Sequence, residues 1–482
     1  MDKKINNATK WSFITEILAK LAAPITNMVL ARLLTPEIFG VVATITMVTS
    51  FAEIFSDAGF QKYLVQHNFI DDEDFNNGLN TAFWTNLGIS LTLWILIFIF
   101  RAELARLVGS EGYGNALAIA ALVLPMYSFS SIQLSIFRRK LDFKTIFRAR
   151  IVGIVIPFLV TVPIAMFTHS HWSLIIGNLA IQLANSYYLT IASDWKPQFK
   201  YNINSLKEMW TFSIWTLTEQ LLGWANLNIG IFVVGTILSS YYLGLYKMSM
   251  GTVNQVIAVI TNTLSPVIMS SLSKLRDDKE VYLKAYYEFM RTAGMLVIPM
   301  GIGIFMYKDL VTLVLLGNQW MEASNFIGLW ALVRSLYIAL CGFYVDVCIS
   351  LEKPIPTVLL QLLSIFILIP SLYVSAHVGY HTLYIVRSCI VIISVIIELI
   401  ALYKIADISF IKLMKNIYPC FISAGIMFVV GNLLKMVSSN IIWSFVSIAI
   451  CAVTYFVCLI MFPSYGSYIK EMIKNKNIKP KN

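Results

Sequence analysis

Residues 33–40 read LLTPEIFG and residues 237–244 read ILSSYYLG, so a similar octapeptide occurs twice at a spacing of 204 positions. Each octapeptide joins two long apolar segments, and at this spacing the first two segments align with the seventh and eighth without a gap. Identical residues coincide in both pairs: Trp11 with Trp215, Leu34 with Leu238, and Gly40 with Gly244. The spacing therefore predicts an internal duplication whose unit contains six apolar segments.

The chain is too apolar for a soluble protein. Of its 482 residues, 58% are hydrophobic and 13% are charged, about half the charged fraction of an ordinary soluble domain. This composition also excludes a disordered chain, a fibrous repeat and a disulfide scaffold. Because a membrane-spanning helix needs about 17–25 mostly apolar residues, we predict an all-α polytopic membrane protein with about 14 transmembrane helices. The predicted spans are 9–33, 38–65, 79–100, 116–137, 149–168, 172–192, 208–238, 243–273, 286–306, 324–350, 357–377, 380–403, 417–437 and 441–463.

The basic residues predict which side of the membrane each loop faces. With the amino terminus in the cytoplasm, 26 of the 36 lysines and arginines fall in cytoplasmic segments, 5 in outer segments and 5 within spans. Since cytoplasmic loops carry the excess of Lys and Arg, we expect both termini to be cytoplasmic, although a count of thirteen or twelve spans also fits the hydropathy. The net charge of +10 then reflects basic loops facing anionic headgroups rather than nucleic-acid binding.

The duplication also predicts how the helices are grouped. Because a unit of six spans is even, both copies enter the membrane from the same side, as in transporters whose halves are related by an axis along the membrane normal. We predict one six-helix lobe at 1–200, a second at 201–404, two additional transmembrane helices at 405–463 and a basic cytoplasmic tail at 464–482.

Polar and charged side chains recur within the helices that the duplication makes equivalent. An ionisable group inside a span costs at least about 2.5 kcal/mol on insertion scales, so it normally faces a cavity or a partner. The candidate cavity residues are Lys20, Asn27, Lys247, Asn254, Asn262, Arg334 and Arg387, and the candidate acidic residues are Glu16, Glu53, Asp57 and Glu219. Other interpretations stay open, since Glu16 and Lys20 could neutralise one another. Glu53 and Asp57 could serve only in packing, and Lys247 could extend toward the headgroups.

The motifs of enzymes and metal sites are absent from the sequence. There is no GxGxxG, Walker loop, HExxH or GxSxG, and the six cysteines lie in predicted spans without CxxC spacing. We therefore predict no enzyme, no metal site and no cofactor. Any uphill transport would depend on a proton or sodium gradient or on substrate supply.

Four stretches resemble a known family, in the order in which that family carries them. They are ARLLTPEIFGVVATITMVTSFAEIFSDAGFQKYLVQ at 31–66, RRKLDFKTIFRARI at 138–151, YYLGLYKMSMGTVNQVIAVITNTLSPVIMSSLSKLRDD at 241–278 and LLGNQW at 315–320. On these stretches the chain is similar to the bacterial polysaccharide exporters, the flippases of lipid-linked oligosaccharides. Their superfamily also includes multidrug exporters and lipid II flippases.

The resemblance implies a fold, a substrate and a site. The fold is two six-helix lobes in a V around a central cavity, sometimes with two extra carboxy-terminal helices. The substrate is an oligosaccharide repeat unit on undecaprenyl pyrophosphate, flipped across the bacterial cytoplasmic membrane by alternating access for capsule, O-antigen or exopolysaccharide. Lys20 and Lys247, with Arg334 or Arg387, would attract the pyrophosphate, because cationic side chains form strong hydrogen bonds to phosphate.

The remaining candidate residues receive roles that are consistent with this substrate. Asn27, Asn254 and Asn262 would hydrogen-bond the sugars, and Glu53 or Asp57 would bind a coupling cation. The expected partners are the lipid-linked oligosaccharide, membrane lipids, and the polymerase and glycosyltransferases of the same pathway. Two alternatives stay open: a multidrug/cation antiporter of the same superfamily and, with less support, a membrane glycosyltransferase or polysaccharide polymerase.

Overall fold

The computed structural model of the protein describes residues 24–438 and 440–468. Thirteen helices in these residues are long and apolar enough to cross a membrane, and the same residues contain no strand. The thirteen helices coincide with predicted spans two to fourteen, which confirms the all-α polytopic fold. Most of the first predicted span, 9–33, lies outside the described residues, and so do Glu16 and Lys20.

By the density of their internal contacts, the described residues form two compact units. The first unit contains residues 24–248 and 369–380, and the second contains residues 249–368 and 381–468. The division into lobes at 200 and 404 is a different grouping and stays a prediction.

The helices of the first half of the chain are numbered in chain order. They are α1 (described over 24–33), α2 (Pro36–Asp57), α3 (Phe60–Gln66), α4 (Asp72–Ile99), α5 (Arg101–Leu107), α6 (Gly114–Ala120), α7 (Val123–Arg139), α8 (Phe143–Ile156), a π-helical turn (Pro157–Thr161), α9 (Val162–Thr168), α10 (Trp172–Ala192) and α11 (Ile203–Ile237).

The helices of the second half follow in the same way. They are α12 (Ser240–Leu275), α13 (Lys279–Met306), α14 (Lys308–Leu315), a 3₁₀ turn (Asn318–Ala323), α15 (Ser324–Cys341), α16 (Tyr344–Ser350), α17 (Ile355–Val378), α18 (Tyr380–Ala406), α19 (Phe410–Val437) and α20 (Ile441–Met461).

Polar residues at the edges of the apolar segments fix where several helices begin. The Asp71 carboxylate accepts a hydrogen bond from the Asp74 backbone N–H at 2.7 Å at the start of α4, and Asp142 accepts from the Thr145 N–H at 3.2 Å at the start of α8. Pro36 occupies the first position of α2, where its missing N–H costs nothing. The acidic run 71–74 is therefore part of a helix cap.

The predicted second span, 38–65, is not one continuous helix. Helix α2 ends at Asp57, and α3 begins at Phe60. The two residues between them adopt left-handed backbone angles, with φ of 45° at Ala58 and 78° at Gly59. A helix cannot continue through two left-handed residues, so the membrane-spanning helix ends at Asp57, before the predicted bound at 65.

A buried polar side chain joins three helices of the first unit. Asn86 on α4 is completely buried, and its Oδ1 accepts hydrogen bonds from Ser56 Oγ of α2 at 2.9 Å and from Ser128 Oγ of α7 at 2.8 Å. Its Nδ2 donates to Ser131 Oγ at 3.0 Å, and Ser90 Oγ also donates to Oδ1, at 3.2 Å. Every polar atom of this amide is therefore paired inside an otherwise apolar core.

Candidate functional site

Two of the predicted cavity residues meet in the second unit through a tryptophan. The indole Nε1 of Trp330 on α15 donates a hydrogen bond to Asn254 Oδ1 on α12 at 3.3 Å. The guanidinium carbon of Arg387 on α18 lies 4.9 Å from the centroid of the Trp330 ring. Trp330 is almost completely buried and thus positions an asparagine and an arginine from different helices beside one another. The sequence prediction did not include Trp330.

Arg334, one helical turn after Trp330, belongs to the same region of the second unit. Its guanidinium carbon lies 4.8 Å from the centroid of the Tyr337 ring, and the Tyr337 hydroxyl donates to Glu398 Oε1 at 3.3 Å. Glu398 lines a small cavity between α17 and α18, together with Ser364 and Ser394. Tyr337 therefore contacts both Arg334 on its own helix and the Glu398 carboxylate on α18.

Lys247 lies in the first unit, as the eighth residue of α12. Its side chain is mostly buried, and among the described residues it forms neither an ion pair nor a hydrogen bond. Burying an ammonium group without a partner is unfavourable, and such groups in spans normally face a cavity or a ligand. The ammonium group of Lys247 is therefore suited to binding an anion.

The candidate acids of the first unit lie where α2 ends. Asp57 is the last residue of α2, and its Oδ1 is buried without a hydrogen-bond partner among the described residues. Next to it, Gln61 Nε2 donates to Tyr127 Oη at 2.6 Å, and Arg138 Nη1 donates to Gln61 Oε1 at 3.1 Å. An interruption of the helix thus coincides with a buried carboxylate and a polar network.

The other predicted site residues are not gathered into these clusters. Glu219 on α11 forms an exposed ion pair with Lys62, with Lys62 Nζ 2.8 Å from Glu219 Oε2. Asn27 is half-buried in α1, and Asn262 is exposed on α12. The described part of the chain contains no group of three or more His, Cys, Asp or Glu residues that could hold a metal ion.

Comparison with known sequences identifies relatives of this chain. Residues 29–325 match the model of a family described as polysaccharide biosynthesis protein. The succinoglycan biosynthesis transport protein of Rhizobium meliloti (strain 1021) is 23% identical over 69% of this chain and 67% of its own length. The teichuronic acid biosynthesis protein of Bacillus subtilis (strain 168) is 22% identical over 70% of this chain and 69% of its own length. The chain spans about two thirds of the length of these curated relatives.

Comparison with solved structures supports the fold. A lipid II flippase in an inward closed conformation superposes with a TM-score of 0.74 at 16% identity, covering 96% of this chain and 100% of the flippase. An inward-facing multidrug resistance transporter gives a TM-score of 0.60 at 13% identity, covering 82% of this chain and 96% of the transporter. At these identities the likeness establishes the architecture alone, that of a multi-pass membrane protein.

Proposed function

Because the chain belongs to the polysaccharide biosynthesis protein family, we propose that it is a flippase of lipid-linked oligosaccharides. It moves a repeat unit linked to undecaprenyl pyrophosphate from the cytoplasmic to the outer leaflet of the bacterial cytoplasmic membrane by alternating access. The product feeds the assembly of a surface polysaccharide. The names of two relatives, a succinoglycan transport protein and a teichuronic acid biosynthesis protein, support a substrate of this class.

The observation that carries this proposal is Lys247, which is mostly buried and has neither an ion pair nor a hydrogen bond among the described residues. A pyrophosphate diester brings two negative charges and several acceptor oxygens, and it forms short, charge-assisted hydrogen bonds with an ammonium group. Binding this group would offset the cost of keeping Lys247 inside a span, which is about 2.5–3.5 kcal/mol on insertion scales. Lys20 of the first span supplies a second cation in this proposal.

The second unit contributes its own polar cluster to the proposal. Arg387 over Trp330 presents a planar guanidinium, which matches phosphate geometry, and Asn254 beside it offers an amide suited to sugar hydroxyls. Arg334 and Asn262 complete the set of polar residues proposed to contact the substrate. No residue here acts as a nucleophile or a general acid, since the protein transports its substrate and forms no new bond.

A coupling cation would bind at the end of α2. The buried Oδ1 of Asp57 lacks a partner among the described residues, and Glu53 lies one turn earlier on the same helix. A proton or a sodium ion at this carboxylate would satisfy the buried oxygen, which otherwise carries the full cost of desolvation. Glu16 and Glu219 remain further candidates for this role.

The orientation follows from the distribution of basic residues. Both termini are placed in the cytoplasm, so that the octapeptides at 33–40 and 237–244 face outward. In this orientation the substrate enters from the side on which the glycosyltransferases of the pathway build it. It leaves on the side on which a polymerase uses it.

Replacing Lys20 and Lys247 together by alanine tests the proposed role of these cations. We expect the surface polysaccharide to be lost while the amount of protein in the membrane stays unchanged, because the pyrophosphate loses its two ammonium partners. Lys247→Arg should retain function, since it keeps the charge. Lys274→Ala serves as the matched control, because Lys274 is an exposed lysine at the end of the same helix. Normal polysaccharide in the double variant would contradict the assignment.

The alternative, a multidrug/cation antiporter, is favoured by the structural likeness to a multidrug resistance transporter. A deletion strain separates the two functions. The flippase predicts a loss of surface polysaccharide with unchanged drug sensitivity, whereas the antiporter predicts increased drug sensitivity with a normal polysaccharide.

A further inference from the structure

Residues 193–202, here called the linker, connect α10 to α11 without forming a helix. Their backbone is hydrogen-bonded to side chains of α4. The N–H of Gln198 donates to Asn80 Oδ1 at 2.8 Å, and the N–H of Asn202 donates to Thr81 Oγ1 at 3.0 Å. Both acceptors belong to buried side chains. The linker is therefore fixed along one side of a membrane-spanning helix.

Aromatic side chains extend the contact between the linker and α4. The indole Nε1 of Trp84 donates to the Gln198 carbonyl at 2.8 Å, and its ring stacks on Phe199 with the centroids 4.8 Å apart. One residue further along α4, the Thr85 hydroxyl is hydrogen-bonded to that of Tyr201 at 3.1 Å. The middle of the linker thus lies at the level of Trp84 and Thr85.

That level lies inside the membrane edge. Helix α4 begins at Asp72, and hydropathy places the start of its apolar part at Leu79, so Trp84 is five residues, or about 7 Å, inside the span. Irregular backbone at membrane depth is tolerated only where the protein satisfies its polar groups. The side chains of α4 supply those partners, which a loop in water would receive from the solvent.

The side chains of the linker and of the first turns of α11 that stay exposed are mostly apolar or basic. Phe199 is 94% exposed although it stacks on Trp84. The exposed apolar and basic side chains of this stretch are Lys196, Phe199, Lys200, Tyr201, Ile203 and Lys207.

The charges of this stretch differ in their partners. Lys196 donates to the Thr190 carbonyl, and Glu208 accepts a hydrogen bond from Tyr63 at 3.3 Å, while Asp194 is exposed. Among the described residues, the ammonium groups of Lys200 and Lys207 form no ion pair and no hydrogen bond. Aromatic rings at the membrane edge with lysines beside them are typical of chain segments that contact lipid headgroups.

We propose that the linker is a membrane anchor, with the exposed side of Phe199 and Tyr201 inserted among phospholipid headgroups and Lys200 bound to a lipid phosphate. Asn202 ends the linker, and its Oδ1 accepts a hydrogen bond from the Asn204 N–H at 2.9 Å at the start of α11. The anchor therefore holds the beginning of α11 at the membrane surface. The proposed orientation identifies the leaflet as the cytoplasmic one, whereas the contact with lipid is independent of orientation.

Quenching by lipid chains measures the depth of the linker. In the full chain with its six native cysteines replaced by alanine, Phe199→Cys and Ile70→Cys each carry a nitrobenzoxadiazole label. Each protein is reconstituted into vesicles of equal parts of phosphatidylcholine and phosphatidylglycerol, with or without a spin label near the carbonyl end of the acyl chains. We expect the spin label to lower the emission from position 199 about twofold, because interfacial aromatic positions lie at headgroup level.

Ile70 is the matched control for this measurement. It is 93% exposed and lies two residues before α4 begins, so a label there should stay in water and keep its emission. Equal quenching at the two positions, or no quenching at position 199, would overturn the proposal and leave the linker open to a soluble partner. Tyr201→Cys carries the same test if Phe199→Cys does not accumulate.

Lys200→Gln tests the contact with a lipid phosphate. Phosphatidylglycerol added to the labelled protein in detergent should change the emission from position 199. Lys200→Gln should raise the half-saturating lipid concentration about fivefold, since one basic residue near an anionic lipid surface contributes about that factor. Lys144→Gln is the matched control, because Lys144 is an exposed lysine on α8 of the same unit. Equal concentrations for the two variants would refute the role of Lys200.

These measurements are independent of the proposed transport function. Both leaflets of the vesicles have the same composition, and neither experiment requires a sugar to cross the membrane. A protein that binds lipid at the linker but does not support surface polysaccharide would refute the flippase and leave the anchor in place.

Discussion

Asn86 shows how much one side chain contributes to the packing of the first unit. It connects α2, α4 and α7 through four serine hydroxyls, and no water is needed to satisfy its amide. Its position could not be predicted from the sequence, because an asparagine within an apolar segment looks the same whether it lines a cavity or pairs with neighbouring helices.

Asn86→Ala should therefore lower stability without altering the charge of the transport path. Interhelical hydrogen bonds in membrane proteins are worth about 0.6 kcal/mol each, so the loss of the three that join Asn86 to α2 and α7 should cost about 2 kcal/mol. Thermal unfolding of the purified protein in detergent measures the effect. Asn432→Ala is the control, since the Asn432 amide is only half-buried and donates to the Phe428 carbonyl of its own helix. Equal melting temperatures for the two variants would contradict the structural role.

At the scale of single residues, the candidate site could be predicted only in part from the sequence. Asn254 and Arg387 were predicted from polarity within spans, and the structure brings them together. Trp330 and Tyr337 were not, because an aromatic residue in an apolar span has the pattern of a core residue until its neighbours on α12 and α18 are known. The pairing of Glu219 with Lys62 was missed for a related reason, as the two lie 157 positions apart.

At the scale of the elements, the interruption after Asp57 separates the transmembrane helix α2 from the short helix α3. Hydropathy predicted a continuous span here because it does not sense backbone angles, although the adjacent Ala58 and Gly59 offered a signal. Gly59 adopts its positive φ at no cost, whereas Ala58, with φ of 45°, carries strain. The interruption leaves the Asp57 carboxylate at the end of a helix rather than within one.

Opposite substitutions at these two positions should have opposite effects. A left-handed backbone conformation costs an alanine about 1 kcal/mol, and glycine does not bear this cost. Ala58→Gly should therefore maintain or raise the melting temperature. Gly59→Ala should lower it, because the new Cβ is strained and would lie 2.7 Å from Thr216 Cβ. If Gly59→Ala is as stable as Ala58→Gly, the left-handed break is not a feature of the folded protein.

At the scale of the whole molecule, composition and hydropathy predicted the all-α membrane fold, whereas the lobe boundaries and the orientation of the termini stay predictions. Thirteen spans match the predicted ones, and the likeness to a lipid II flippase extends over 96% of the chain. Residues 1–23, which include Lys20, lie outside the described residues, so the role of Lys20 stays a prediction.

The central claim concerns the whole molecule: the protein moves an anionic lipid-linked sugar across a bilayer with the help of buried cations. Proteoliposomes that contain a fluorescent saccharide on undecaprenyl pyrophosphate test it, with dithionite reducing the label that is exposed outside. We predict that the protein exposes the inner-leaflet label, that Lys247→Arg does so too, and that the Lys20→Ala, Lys247→Ala double variant is at least about tenfold slower, a difference of about 1.4 kcal/mol. Equal rates for the double variant and the unmodified protein, or no exposure by the unmodified protein, would contradict the account.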